Sequence, residues 1–301
     1  FQVVTMLLFN NRYSIFDTPA GFWSFLGINV LVHGGLFLLY TLAYVAGQPG
    51  VSFLSNRLSK GTTSLLRVAI GTSFIGIVVF LLGAVHQLTT MVAGIMALGI
   101  LGWRYREVWS LWQGTLLKRQ AYKYKNRWMQ LPIFFLLSTL AVNGIGAVKP
   151  FPTGFDGAAL YMNTTQLIIN YKGLIEGGQA YYWQLILSLG ELLFGKAVFS
   201  IGIAHFSFLL VLLAAFRLAR LLLSRSWSWA AVGLLALNPS LSFHYLCDEK
   251  VDLGFTFITL AAVLMLIEFW TGTAKPDTTD GPPAKLPFGL SATQWMLLLT
   301  G

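Results

Sequence analysis

Asp156 is the first residue whose type and position could support catalysis. It lies a few residues after a long apolar segment ends, in a stretch rich in glycine. A carboxylate that is partly desolvated at a membrane edge can have a raised pKa and act as a general base, or it can bind a metal ion. Asp is also a favoured N-cap residue, so capping of the following helix is the simpler alternative. The sequence leaves these roles open.

A second acidic cluster stands at the start of a later apolar segment. It consists of Asp248, Glu249 and Asp252, with Lys250 among them. If this segment is helical, Glu249 and Asp252 share one face. Carboxylate oxygens are the ligands that Mg²⁺ and Mn²⁺ prefer, and such an ion would recruit a phosphate group. Lys250 would bind phosphate directly or neutralise its acidic neighbours. Stabilisation of a helix N-terminus by acids is the alternative explanation.

Aromatic residues and one histidine are further candidates for contact with a substrate. Tyr182 and Trp183 follow a glycine-rich stretch. They would form either a shelf for a sugar or lipid, or an ordinary aromatic belt at the bilayer interface. His244 precedes the second acidic cluster and is a weaker candidate for the same site. Structural roles are expected for the other histidines, which stand alone in apolar surroundings: His33, His86 and His205.

The composition indicates that a membrane protein positions these residues. The chain of 301 residues is 56% hydrophobic and 10% charged, with a mean hydropathy of +0.69. Soluble domains carry roughly 25% charged residues, so a soluble fold could not bury this much apolar surface. The long apolar segments predict α-helices rather than the alternating strands of a barrel. The net charge of +9 fits basic loops beside membrane spans, so nucleic acid is not an expected partner.

We predict an all-α, polytopic transmembrane bundle of about eight spans. Its long outer loop would hold juxtamembrane helices at Ala158–Tyr171 and Trp183–Phe194, and His86 and Gln87 would form a tight turn. The chain does not begin with Met and its last apolar segment is short, so we expect it to be part of a longer protein. The predicted spans are Phe22–Gly47, Leu66–Val85, Leu88–Trp103, Trp128–Val148, Ala197–Leu223, Ser228–Phe243, Val251–Trp270 and one that begins near Thr293.

Lysine and arginine residues predict the orientation of the bundle. The loop Arg104–Arg127 holds seven of them and one acid, which places it on the cytoplasmic side. The loop Gln48–Arg67, two spans earlier, is basic with no acid and agrees with this assignment. By parity, Lys149–Gly195 and His244–Lys250 fall on the non-cytoplasmic face. Asp156 and the second acidic cluster would therefore lie on the same side of the membrane.

The order of these features resembles the membrane-embedded GT-C glycosyltransferases. This class includes protein O-mannosyltransferases, lipid A aminoarabinose transferases and the catalytic subunits of oligosaccharyltransferase. The resemblance covers about residues 128–301: a span, an outer loop with an Asp, juxtamembrane helices and a span that ends in Arg217-Leu218-Ala219-Arg220. Asn238-Pro239 and the pattern Lys250-Val251-Asp252-Leu253 are also similar to the family. Many relatives have paired acids in the first outer loop, whereas here Gly157 follows Asp156.

The resemblance implies transfer of a sugar from a polyprenyl-phosphate-linked donor to an acceptor on the non-cytoplasmic face of a bacterial inner membrane. Asp156 would deprotonate the acceptor hydroxyl or amide. Lys250 would offset charge on the leaving phosphate. A divalent cation, Mg²⁺ or Mn²⁺, is the expected cofactor, and its ligands would be Asp248, Glu249 and Asp252. The residues expected to bind substrate or phosphate are Lys250, Tyr182, Trp183 and His244.

The resemblance also divides the chain into two parts and leaves other functions open. Residues 1–127 would add N-terminal transmembrane helices with a basic cytoplasmic loop, and residues 128–301 would form a truncated GT-C-like core. A transporter or flippase for a lipid-linked or small polar substrate would also place acids in the membrane, although we find no internal repeat. A non-catalytic scaffold subunit would use the outer loops to bind partners in a membrane complex.

Overall fold

The structure, a computed structural model, describes residues 19–55, 57–116, 130–148, 157–175, 182–238, 241 and 251–271. All regular structure in these residues is helical, which confirms the all-α fold class. A π-helical turn, Gly157–Tyr161, precedes α7. The helices are α1 (Pro19–Ala46), α2 (Gln48–Val51), α3 (Lys60–Ala84), α4 (Thr90–Trp103), α5 (Tyr105–Leu116), α6 (Gln130–Ala147), α7 (Met162–Tyr171), α8 (Tyr182–Phe194), α9 (Val198–Leu222), α10 (Arg225–Ala236) and α11 (Asp252–Thr271).

Four helices are long and apolar enough to cross a membrane. They are α3, α9, α11 and the part of α1 that covers Leu26–Ala46, and each has 20 to 25 residues. At 1.5 Å per residue, such helices are at least about 30 Å long, which matches the hydrocarbon core of a bilayer. Their outward faces are apolar as well, with exposed side chains such as Val30, Phe74 and Leu213. These features indicate a membrane protein.

Two of the predicted spans form helices that are shorter than a bilayer requires. The segment Leu88–Trp103 forms α4, whose 14 residues extend about 21 Å. The segment Ser228–Phe243 forms α10, which has 12 residues and ends before Pro239. In the segment Trp128–Val148, the structure describes α6 from Gln130 to Ala147, and the two residues before it lie outside the described part of the chain. The prediction of about eight spans is therefore not confirmed, and the last of them lies outside the described residues.

The spans pack most closely where glycines face one another. A Cβ atom on Gly71 of α3 would lie 1.7 Å from the carbonyl oxygen of Ala43 in α1. A Cβ atom on Gly47 would lie 1.8 Å from the carbonyl oxygen of Arg67. Small residues allow this approach of two backbones, which is a common way for membrane helices to associate through van der Waals contact. Around this contact, α3 also packs against α8 and α11.

Helix α8 is enclosed by the other helices. Every residue from Trp183 to Gly190 is buried, and α8 contacts α3, α4, α7 and α9. Its 13 residues extend about 20 Å, which is too short to span a bilayer. Gly195, with a φ of 69°, makes the turn into α9, because glycine adopts positive φ without strain. The sequence predicted a juxtamembrane helix before this span, and the structure shows a helix inserted into the bundle.

The predicted turn at His86 and Gln87 is confirmed and is tied to α7. Helix α3 ends at Ala84, and the Thr89 side chain caps α4 by accepting from the amide of Val92 at 3.3 Å. The amide of Leu88 donates to the carbonyl of Lys172 at 2.9 Å, and the amide of Leu174 donates to Gly83 at 3.2 Å. The turn at His86 and the segment that follows α7 therefore lie at the same end of the bundle.

Helix α5 forms within the segment that the sequence predicted only as a basic loop. This helix has a polar and an aromatic face. Trp109 is exposed, whereas the indole N–H of Trp112 donates a hydrogen bond to the Thr41 hydroxyl at 3.2 Å. Amphipathic helices rich in aromatic residues lie along membrane surfaces. The hydrogen bond between Trp112 and Thr41 fixes α5 against the C-terminal half of α1, at the end of the bundle opposite to the His86 turn.

Candidate functional site

Trp183 joins the start of α8 to the start of α11. It is 2% exposed, and a Cβ atom on Gly254 would lie 2.1 Å from its Cε2 atom. The ring centroids of Trp183 and Phe255 are 6.3 Å apart. Only a glycine leaves room for the indole at this place on α11. The contact brings one residue of the predicted substrate shelf against the first turn of α11, which begins at Asp252.

Tyr182 is anchored in the interior of the bundle as well. Its hydroxyl donates to the carbonyl oxygen of Ser73 at 2.5 Å, and its ring lies against Gly76. Ser73 is near the middle of the α3 span, so the side chain of Tyr182 points inward along the bundle. Neither Trp183 nor Tyr182 lies on an exposed rim, which differs from the expectation of an aromatic belt. Both residues shape the interior next to α11.

Of the other predicted site residues, the structure describes Asp252 alone. Asp252 is exposed at the N-terminus of α11, where the helix dipole favours a negative charge. No group of three His, Cys, Asp or Glu side chains that could hold a metal ion occurs in the described part of the chain. A single described carboxylate does not make a metal site. The residues that lie outside the described ones are Asp156, His244, Asp248, Glu249 and Lys250.

An apolar cavity of about 60 Å³ opens beside Trp183. Its wall runs from Trp183 and Phe257 to Ile203 and Tyr40, between α1, α3, α8, α9 and α11. The wall is mainly hydrocarbon, with the hydroxyls of Thr72 and Ser207 as exceptions. Such a cavity suits a hydrocarbon chain better than a polar group.

A buried charged cluster lies at the other end of α11. Glu268 is 2% exposed, and its carboxylate accepts hydrogen bonds from the Ser59 amide at 2.8 Å, the Ser59 hydroxyl at 2.9 Å and the Thr62 hydroxyl at 2.6 Å. The Nη2 atom of Arg217 lies 3.6 Å from Glu268 Oε1 and also donates to the Ser59 hydroxyl. The cluster joins the ends of α3, α9 and α11 and satisfies the oxygens of a charge that would otherwise be costly in a membrane.

Two histidines that the sequence analysis treated as solitary come together. The Nε2 atoms of His33 in α1 and His205 in α9 each lie 3.3 Å from the position of a Cβ atom on Gly144 of α6. The Nδ1 atom of His33 lies 2.8 Å from the carbonyl oxygen of Asn29. The sequence did contain a signal for this cluster, because His33 and His205 both fall within predicted spans. Ionisable residues within spans usually face other polar groups.

Gln166 of α7 forms hydrogen bonds with the carboxylate of Glu191 in α8. Its amide nitrogen donates to both oxygens of Glu191, at 2.6 and 2.8 Å. Glu191 is one of the acids that the sequence places on the outer face. These hydrogen bonds fix α7 against α8.

Comparison with known proteins gives no relative. No protein-family model, curated protein or solved structure was found to match the chain. Arguments about its function therefore depend on the sequence pattern and on the contacts described above.

Proposed function

We propose that the chain is an integral membrane glycosyltransferase of the GT-C type, which moves a sugar from a polyprenyl-phosphate-linked donor to an acceptor on the non-cytoplasmic face of a bacterial inner membrane. The observation that carries this proposal is the contact between Trp183 and Gly254. It holds the start of α8, which follows the loop of Asp156, against the start of α11, which follows the second acidic cluster. This contact supports the proposal because it packs Trp183, a predicted substrate residue, against the helical turn that begins at Asp252.

In the proposed reaction, Asp156 acts on the acceptor and the second acidic cluster acts on the phosphate of the donor. Asp156 takes the proton from the acceptor hydroxyl or amide while the acceptor atom forms a bond to the anomeric carbon of the sugar. The bond between that carbon and the phosphate oxygen breaks, and the polyprenyl phosphate leaves with the electron pair. Lys250 stabilises the charge on the leaving phosphate. The apolar cavity beside Trp183 offers a place for the first carbons of the polyprenyl chain.

Asp252 has a supporting role in this proposal. Together with Asp248 and Glu249 it would orient the phosphate, and a divalent cation bound there would supply Lewis-acid stabilisation of the phosphate charge. Tyr182 and Trp183 would act by shaping the interior beneath the phosphate, and His244 by contacting the substrate.

The experiment is an assay of donor consumption by the full chain in proteoliposomes supplied with polyprenyl-phosphate sugars. We expect release of polyprenyl phosphate that Asp156→Asn abolishes, because an amide cannot accept the proton. Glu176→Gln is the matched control, since it removes another acid of the same outer loop and should leave turnover within about twofold of the unmodified chain. Near-normal turnover by Asp156→Asn would remove Asp156 from the mechanism.

A transporter or flippase is the second candidate, and the ionisable groups buried within spans favour it. Glu268 with Arg217, and His205 near His33, are the kinds of group that line ion pathways in membranes. A proteoliposome flux assay separates the two functions. Flux without donor consumption would support transport, and the absence of both would support a scaffold subunit in a membrane complex.

A further inference from the structure

The turn between α9 and α10 exposes apolar and basic side chains next to one another. Helix α9 ends at Leu222, and α10 begins at Arg225. Leu222 is 85% exposed and Trp227 is 69% exposed, and the side chains of Arg220 and Arg225 are exposed as well. Apolar residues that are exposed together mark a surface that contacts a partner. The partner of this turn must therefore accept both hydrocarbon and positive charge.

The positive charge of this turn is not balanced by acids on its own helices. Residues 192–247 contain no Asp or Glu. Glu268 is buried and pairs with Arg217, one turn before Arg220, and the described residues give Arg220 no ion pair. Arg220 donates one hydrogen bond to the Leu223 carbonyl at 2.9 Å, which uses one of the several N–H groups of a guanidinium. The charge of Arg220 is therefore available to an anion outside the bundle.

The length of α9 places this turn at the level of the lipid headgroups. Its 25 residues extend about 38 Å, whereas the hydrocarbon core of a bilayer is roughly 30 Å thick. The last turn of α9 therefore reaches the headgroup layer when the rest of the helix spans the bilayer. Tryptophan is enriched in that layer, as Trp227 would be here. An arginine there keeps its charged head among the headgroups while its stem lies against hydrocarbon.

We propose that this turn, residues 220–227, binds anionic phospholipids in the membrane leaflet at its end of the bundle. Arg220 and Arg225 contact the lipid phosphates, and Leu222 and Trp227 enter the adjoining hydrocarbon. A lipid surface fits better than an acidic protein because strongly exposed apolar residues accompany the charges, at the end of a helix that is long enough to span the bilayer. The inference is independent of the proposed glycosyl transfer, since the turn contains none of the predicted site residues.

A fluorescent probe on the turn measures which lipid surrounds it. Ser226→Cys, an exposed position, carries a nitrobenzoxadiazole dye on the full chain in a Cys247→Ser background. The bilayers contain equal amounts of phosphatidylglycerol and phosphatidylcholine, and one of the two lipids carries a nitroxide quencher on its acyl chain. We expect quenching to report a local excess of phosphatidylglycerol of at least about threefold, because each basic residue near the surface attracts anionic lipid.

Charge variants then test the two arginines. The double variant Arg220→Gln, Arg225→Gln should lower the local lipid ratio to about one, whereas Arg220→Lys, Arg225→Lys should keep most of the excess, because lysine retains the charge. The matched control is Lys172→Gln, which removes an exposed cation at the opposite end of the bundle and should leave the ratio unchanged.

Three results would overturn the proposal. The first is equal quenching by the two lipids in the chain with both arginines, and the second is an excess that persists in the double glutamine variant. The third is quenching by aqueous iodide but by neither lipid, because the turn would then lie in water, where an acidic protein is the partner that fits. If the double glutamine variant does not fold, concentrated sodium chloride replaces it. Salt should lower the excess by at least about half, because it screens exposed charges, and an unchanged excess would also overturn the proposal.

Discussion

The Thr62 hydroxyl donates a 2.6 Å hydrogen bond to the carboxylate of Glu268, although 206 residues separate the two. Thr62 is in the first turn of α3, and Glu268 is in the last turn of α11. With Arg217 from the end of α9, these residues place the starts and ends of three spans at one level of the bundle. This agrees with the orientation that the basic residues predict, in which all three ends face the same side of the membrane.

We predict that loss of Glu268 destabilises the protein substantially. Glu268→Leu removes three hydrogen bonds and leaves Arg217 without its counter-charge, so we expect a loss of roughly 2–3 kcal/mol in the free energy of unfolding. The measurement is thermal unfolding in detergent, with Tm as the readout. Glu107→Gln is the control, because it removes a carboxylate from a partly exposed ion pair with Arg104. It should change stability by less than about 0.5 kcal/mol. Equal effects of the two variants would contradict the structural role given to Glu268.

A second prediction concerns the contact between α8 and α11. Gly254→Ala places a methyl group inside the volume of the Trp183 indole, which cannot move because it is buried on all sides. Overpacking of this kind costs about 1–3 kcal/mol. Gly233→Ala in α10 has open space around it and should be neutral or stabilising by up to about 1 kcal/mol, since alanine favours helix. Thermal unfolding of both variants measures the difference, and an unchanged Tm for Gly254→Ala would mean that α8 does not pack on α11 as described.

The sequence was a good guide where one segment alone determines the structure. Long apolar segments predicted α1, α3, α9 and α11 to within a few residues, apart from the earlier start of α3. Helix α3 starts earlier because Ser59 caps it by accepting a hydrogen bond from the Thr62 amide. A serine before an apolar segment is a typical N-cap signal. Apolar composition also misled the prediction, because α4 has only 14 residues and α10 ends at Ala236, before the predicted apolar segment does.

The site was less predictable because it depends on contacts between distant segments. The sequence pointed to Tyr182 and Trp183, but their aromatic side chains are as typical of a membrane interface as of an enclosed helix. The burial of α8 is decided by glycines on its neighbours, Gly76 and Gly254, which no local pattern marks as partners. The same holds for His33 and His205, which meet only because Gly144 lets three helices approach one another.

A third prediction tests the approach of α1 and α3. Gly71→Ala would force apart two backbones, because its Cβ atom would lie 1.7 Å from a carbonyl oxygen and no side-chain movement can relieve such a clash. We expect a loss of at least about 2 kcal/mol, at the upper end of the overpacking range. The readouts are Tm and the monodisperse fraction in size-exclusion chromatography. Gly94→Ala, in α4 and free of neighbours within 4 Å, is the control and should behave like the unmodified protein.

The last prediction concerns which ends of the bundle share a side of the membrane. Cys247 is the single cysteine of the chain, so Cys247→Ser provides a background for cysteine labelling. Arg106→Cys in α5 and Lys172→Cys after α7 change exposed residues at opposite ends of the bundle. In intact cells a membrane-impermeant maleimide should label Lys172→Cys but not Arg106→Cys, because the basic residues near α5 assign that end to the cytoplasm.

Permeabilisation of the membrane then serves as the internal control, since both variants should react after it. Lys60→Cys, which is exposed at the start of α3, should follow the pattern of Arg106→Cys. The reason is that α5 contacts Thr41 near the end of α1, and Gly47, just after α1, packs against Arg67 of α3. Labelling of Arg106→Cys and Lys172→Cys from the same side would show that these two ends do not lie across a bilayer from each other. The outer position of the loop that contains Asp156 would then lose its support, and with it the proposed site for glycosyl transfer.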